Sequence, residues 1–177
     1  MGTLFLLSSI TELQIPTAVL DSLLEHDRDT NIIQPTLRHL RMQPTMGTIF
    51  MGMHALRHIY SLHLQGFGDA LQTLWLGGRI VPALRFLTLQ FVPPPQAEPP
   101  DFALLTVAMI AECTHALERL KIADLSGILP LGTLVFRCLH RFAHLRVFAI
   151  TVKSMEYSNV KDLVAALPDT VDRKSVV

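Results

Sequence analysis

The chain has 177 residues, half of them apolar, and 30 are leucine. Charged residues make up only 17%, fifteen cations balance fifteen anions, and mean hydropathy is +0.38. This balance excludes an intrinsically disordered chain, and a dedicated nucleic-acid binder would need positive charge in excess. The length fits one domain.

From the N-terminus, Met1 to Ile10 is apolar, with neither a basic start nor a small-residue cleavage site, so no signal peptide is expected. Leu6 stands where a myristoylation motif opening on Gly2 needs Ser or Thr. The longest strongly apolar stretch, Phe102 to Ala111, has 10 residues, against roughly 20 needed to span a bilayer. Two cysteines, Cys113 and Cys138, cannot build a disulfide framework. A cytoplasmic or nuclear protein without membrane contact is the expectation.

One pattern recurs along the chain: apolar-x-x-apolar-x-apolar. It appears as Ile10-Thr-Glu-Leu13-Gln-Ile15, Leu37-Arg-His-Leu40-Arg-Met42 and Ile59-Tyr-Ser-Leu62-His-Leu64. It returns as Leu84-Arg-Phe-Leu87-Thr-Leu89, Leu117-Glu-Arg-Leu120-Lys-Ile122 and Leu145-Arg-Val-Phe148-Ala-Ile150. The middle apolar residues are separated by 27, 22, 25, 33 and 28 positions, close to the roughly 20–29 of leucine-rich repeats. The longest step holds a run with five prolines, 92–101. That run is read as a stiff, extended inter-repeat loop, with a ligand for a proline-binding adaptor domain as the other reading.

Between the pattern units lie helical periods. The segment 15–26 is predicted as a helix. Asp69 can cap one through Leu71, Leu74 and Trp75, closed by Gly77-Gly78. Leu71 to Leu76 also fits the strand pattern, but a strand there would leave steps of about 12 residues, too short for a strand-plus-helix unit. Asp101 caps a helix placing Leu105, Ala108, Met109 and Cys113 on one face. Leu131 to Phe142 reads as another, and Ser158 to Leu167, stopped by Pro168, as the last.

The fold class expected is α/β: a leucine-rich-repeat solenoid of about six irregular strand–helix units, parallel sheet concave and helices convex. It would occupy 1–168, with 169–177 as a polar tail. A single unit cannot bury its apolar face, and stacked units bury a continuous one. A compact α/β sandwich with the same element order is the alternative.

The chain resembles F-box/leucine-rich-repeat proteins in the divergent form of mushroom-forming fungi. Leu84-Arg-Phe-Leu-Thr-Leu89 after Val81-Pro82-Ala83 carries the resemblance, with Cys113-Thr-His-Ala-Leu-Glu-Arg-Leu-Lys-Ile122. The resemblance implies substrate recognition for a cullin-based ubiquitin ligase. A Skp1-like adaptor would be gripped by an F-box, and the repeats would hold the target. Ile15-Pro-Thr-Ala-Val-Leu-Asp-Ser-Leu-Leu24 faintly resembles an F-box opening, but Ala18 replaces its acidic residue and no remainder of the module precedes Leu37. The adaptor is therefore expected only if an F-box lies upstream, the chain being the repeat portion of something longer. A free-standing scaffold and a truncated non-functional fragment are the alternatives.

No pattern asks for catalysis or a cofactor. Cys113-Thr-His115 and Cys138-Leu-His140 lack a standard zinc spacing and read as packing cysteines beside surface histidines. Cysteines on apolar helix faces are inert as nucleophiles, and Leu76-Gly-Gly-Arg79 lacks the rest of a phosphate loop.

The candidate binding site is the concave face. Strand alternation turns outward the residues flanking each middle apolar position: Glu12 and Gln14, His39 and Arg41, Ser61 and His63, Phe86 and Thr88, Arg119 and Lys121, Val147 and Ala149. The next outward position adds Gln43, Gln65, Gln90 and Thr151. A glutamine ladder beside a mildly basic cluster, with Phe86 exposed at its middle, suits a protein or peptide of acidic character.

Overall fold

The computed structural model describes residues 12–16, 38–43, 58–66, 82–92, 101–124, 138–152 and 157–172. Six strands follow one another: β1 (Glu12–Pro16), β2 (His39–Gln43), β3 (Ser61–Gly66), β4 (Phe86–Phe91), β5 (Arg119–Asp124) and β6 (Val147–Val152). Helix α1 (Asp101–Cys113) lies between β4 and β5 in sequence, a 3-10 turn covers Leu139–Arg141, and α2 (Tyr157–Ala166) follows β6. The strands form one sheet in sequential order, every neighbouring pair parallel. The architecture is a parallel sheet with helices, of α/β character.

The register follows the recurring pattern. Leu13, Leu40, Leu62, Leu87, Leu120 and Phe148 stand side by side across the sheet. Two residues on, Ile15, Met42, Leu64, Leu89, Ile122 and Ile150 form a second row. From β2 to β6 the first row is buried throughout. The second is buried except at Ile150, which is only partly covered and packs against the core from the last strand of the sheet. A third layer comes from the residues that open each pattern unit: Ile59, Leu84, Leu117 and Leu145 are all buried.

The turns entering the strands repeat as well. The amide of Tyr60 donates to the Arg38 carbonyl (2.8 Å), Arg85 to Tyr60 (2.9 Å), Glu118 to Arg85 (2.9 Å) and Arg146 to Glu118 (2.8 Å). Asp172 donates to Arg146 (2.9 Å) in the same manner. Residues 170–172, expected within a polar tail, thus dock on the β6 unit, where Val171 is buried and Thr170 Oγ1 donates to the Leu145 carbonyl at 2.6 Å.

Three predicted elements differ in detail. Ile15 and Pro16 belong to β1, not to a helix starting at 15; Pro at a strand end costs no interior ladder bond. Among the described side chains of α1, Val107, Ile110, Ala111 and Cys113 are buried, and Thr114 just beyond the helix continues the i, i+3, i+4, i+7 stripe; Cys113 is on the core face as predicted. The predicted face at Ala108 and Met109 is half-buried beside them. Because α1 is apolar nearly all round, composition along it does not single out one stripe, and docking selects it. The described end of the predicted 131–142 helix is the tighter 3-10 turn. The last helix runs Tyr157–Ala166, within a residue of expectation, with Leu163 and Leu167 buried. The predicted helix opening at Asp69, the rest of the 15–26 helix and most of the proline-rich loop fall outside the described residues.

Candidate functional site

One face of the sheet is filled by the apolar rows, and the alternation places the other set of side chains on the opposite, open face. From β2 to β5 every predicted site residue is on it: His39, Gln43, Arg119 and Lys121 exposed, and Arg41, Ser61, His63, Gln65, Phe86, Thr88 and Gln90 half-buried. Parallel register stacks them in cross-strand rows about 4.8 Å apart per strand. The first row runs Glu12, His39, Ser61, Phe86, Arg119 and Val147. The second runs Gln14, Arg41, His63, Thr88, Lys121 and Ala149.

In the first row a string of ring contacts forms. The Tyr60 ring stands edge-on to Phe86, centroids 4.9 Å apart, and edge-on to His39 at 6.5 Å. On the other side the Arg119 guanidinium lies 5.1 Å from the centre of the Phe86 ring. Ser61, the small residue between His39 and Phe86 in register, keeps the row low where the Tyr60 ring bridges it. Phe86 is therefore half-buried by its own neighbours, not the freely exposed aromatic expected from alternation.

Tyr60 is the member that reading alternation within each strand misses. It occupies the second slot of its unit, where the other described units carry Arg38, Arg85, Glu118 and Arg146. An aromatic where its counterparts are charged was the available signal, and Tyr60 is indeed exposed.

The second row carries the charge. Burial holds the His63 imidazole below its usual range, and the Arg41 guanidinium pushes the same way. A hydrogen bond with the Gln90 side chain opposes them, and Lys121 adds to the lowering. Gln43 Nε2 donates to Gln65 Oε1 at 3.3 Å. The glutamine ladder is thus divided, Gln43 serving Gln65 while Gln90 serves His63. No described open-face position from β2 to β6 carries a carboxylate, so Arg41, Arg119 and Lys121 form a cationic patch on a chain of zero net charge.

Searches for known relatives are silent. No family model, no curated protein and no solved structure matches the chain.

The two Cys-x-His pairs are split between core and solvent. Cys113 is buried at the end of α1 and Cys138 is partly buried against the core, whereas His115 and His140 are exposed. Burial first, and the adjacent Glu112 carboxylate second, push the Cys113 thiol above its usual range. Thr114, buried beside it, satisfies its hydroxyl by donating to the Ile110 carbonyl at 2.7 Å. Among the described residues no cluster of three metal-ligating side chains occurs, and no helix is long and apolar enough to cross a membrane.

A concavity of about 520 Å³ lies at the turns entering β4 to β6 and includes Arg85, Glu118, His144, Arg146 and Asp172. Arg85 Nε lies 3.5 Å from Glu118 Oε1, and Arg85 Nη1 donates to the Ala116 carbonyl at 2.9 Å. Its mixed charges make it a register lock between units more than a recognition surface.

Proposed function

We propose that the chain is a non-enzymatic protein-interaction module, a leucine-rich-repeat solenoid whose open, concave sheet face takes a protein or peptide. The repeat reading is supported by six units that align their apolar positions residue for residue and enter four of the strands through the same backbone bond. The observation that carries the binding reading is the Tyr60–Phe86–Arg119 contact string beside a carboxylate-free cationic row. Aromatic and Arg side chains are the residues that most often dominate protein interfaces.

By resemblance to F-box/leucine-rich-repeat proteins, the partner would be a target presented for ubiquitin ligation. A Skp1-like adaptor then enters only through an F-box upstream. The free-standing scaffold is favoured by one observation: the Ile15-Pro16 pair lies in strand β1, not at the head of an F-box helix. Panning the full chain against a displayed random-peptide library tests the binding reading. Selected peptides should bind wild-type protein and lose at least tenfold in affinity to Phe86→Ala. Peptides indifferent to Phe86→Ala and Arg119→Glu would overturn the open face as the site. Co-purification with a Skp1-like adaptor separates the ligase reading from the scaffold.

A further inference from the structure

Two polar atoms on the open face are buried and unpartnered: Arg41 Nε and His63 Nε2. They sit on neighbouring strands, and Arg41 and His63 are partners in the register. Buried polar groups are nearly always satisfied, so each orphan calls for an explanation. The other imidazole nitrogen of His63 is the one available for its bond with Gln90. Next along the row come Thr88 on β4 and Lys121 on β5.

The charges facing His63 are of one sign. β2 contributes Arg41, with His39 two residues before it; β4 contributes the neutral Thr88 and Gln90; β5 contributes Lys121, with Arg119 two residues before it. A guanidinium offers Nε and one Nη as a paired donor edge that matches a carboxylate, and Arg41 Nε has no partner. The Tyr60–Phe86 shelf lies two residues toward the start of the strands, about 7 Å away, and would support an apolar neighbour of the bound acid.

We propose that Arg41 and His63, backed by Lys121, form a seat for the side-chain carboxylate of an Asp or Glu in the protein ligand. The seat rests on the reading of the open face as a binding surface and names the chemistry it selects. Both atoms are closed to solvent, so the carboxylate seats as the half-buried Arg41 side chain turns to present Nε, and its arrival favours a proton on His63 Nε2, which then donates to it as well. Binding therefore takes up a proton, and affinity rises as pH falls through the titration of the bound His63 and levels off below that of the free one, provided the ligand acid stays ionised.

Two measurements on the full chain test this. In the first, acetate is titrated while the His63 ring nitrogens are followed by NMR. The seat predicts a saturable shift of Nε2 and an upward move of the His63 titration, both lost in Arg41→Gln with its melting transition unchanged. No shift, or an equal shift in Arg41→Gln, overturns the seat whatever peptides bind. In the second, the peptides selected by panning are compared. An acidic residue beside an apolar one, with affinity at least tenfold weaker in Arg41→Gln and His63→Gln, supports the seat. Peptides without an acidic residue that still depend on Phe86 would overturn the seat and leave the binding face standing. Enrichment only from a phosphopeptide pool would overturn the carboxylate assignment in favour of a phosphoryl ligand.

Discussion

Leu87 stands at the centre of the first apolar row, between Leu62 and Leu120, and is only 1% exposed. Leu87→Asp puts a charge where no partner can reach it, a cost of several kcal/mol that exceeds much of a small domain's stability. Loss of the cooperative melt by circular dichroism is expected; a transition near that of the wild type would refute the register. On the other side of the same strand, Phe86→Ala removes an edge-to-face pair and a cation–π contact, together about 1–2 kcal/mol. It should lower the melting temperature modestly while weakening peptide binding far more. His63 sets a pH dependence. Its folded-state affinity for protons is lowered, so the unfolded chain binds the proton more tightly, and protonation favours unfolding. The contribution of neutral His63 is complete above pH 6.5 and fades as pH falls through the folded value. Chemical denaturation between pH 5 and 8 should show that slope, reduced in His63→Gln.

At the scale of elements, α1 is held by Val107, Ile110, Ala111 and Cys113 in the core. Its exposed end is tied to the 3-10 turn by Glu112 and Arg141, 3.2 Å apart. The ion pair is solvated on both sides and is worth about 0–1 kcal/mol. The apolar contacts decide. Ile110→Ala should cost about 2–5 kcal/mol by denaturant titration, whereas Glu112→Ala should change stability little. Cys113, buried and with its thiolate disfavoured, should resist alkylation in the native protein and react only on unfolding. Peptide mapping by mass spectrometry reads this directly, and rapid native labelling would contradict the packing of α1. The strands were legible in the sequence because alternation is a local property of an extended chain. Of the buried stripe of α1 only Cys113 was, because a helix apolar nearly all round declares no face until another element covers it.

Across the whole molecule, each strand's pairing links residues at least 22 positions apart, so stability is shared between neighbouring units rather than held in any one of them. Reversing Arg41 and Arg119 to Glu leaves every apolar row intact. The double variant should fold and melt cooperatively, yet lose at least tenfold in affinity for peptides selected on wild-type protein. Unchanged affinity would remove the cationic patch from recognition. The membership of that face was legible from period-two alternation, down to Arg41, His63, Lys121 and Phe86. What those residues do to one another was not. The Tyr60 ring enters from outside the strand, and Gln90 turns to His63 instead of continuing the glutamine ladder.

The sequence by itself determined where six short strands lie and which of their side chains face one core, since extended chains alternate and one apolar pattern recurs six times. It also determined that the opposite face would be polar and cationic. Only the tertiary structure decided that these rows align in one register, that Ile150 is left partly uncovered on the last strand, and that Arg41 Nε and His63 Nε2, on residues paired in the register, are buried without a partner. The physical reason is range. Periodicity acts within a few residues, whereas register, ring stacking and the satisfaction of a buried polar atom depend on neighbours brought together by folding.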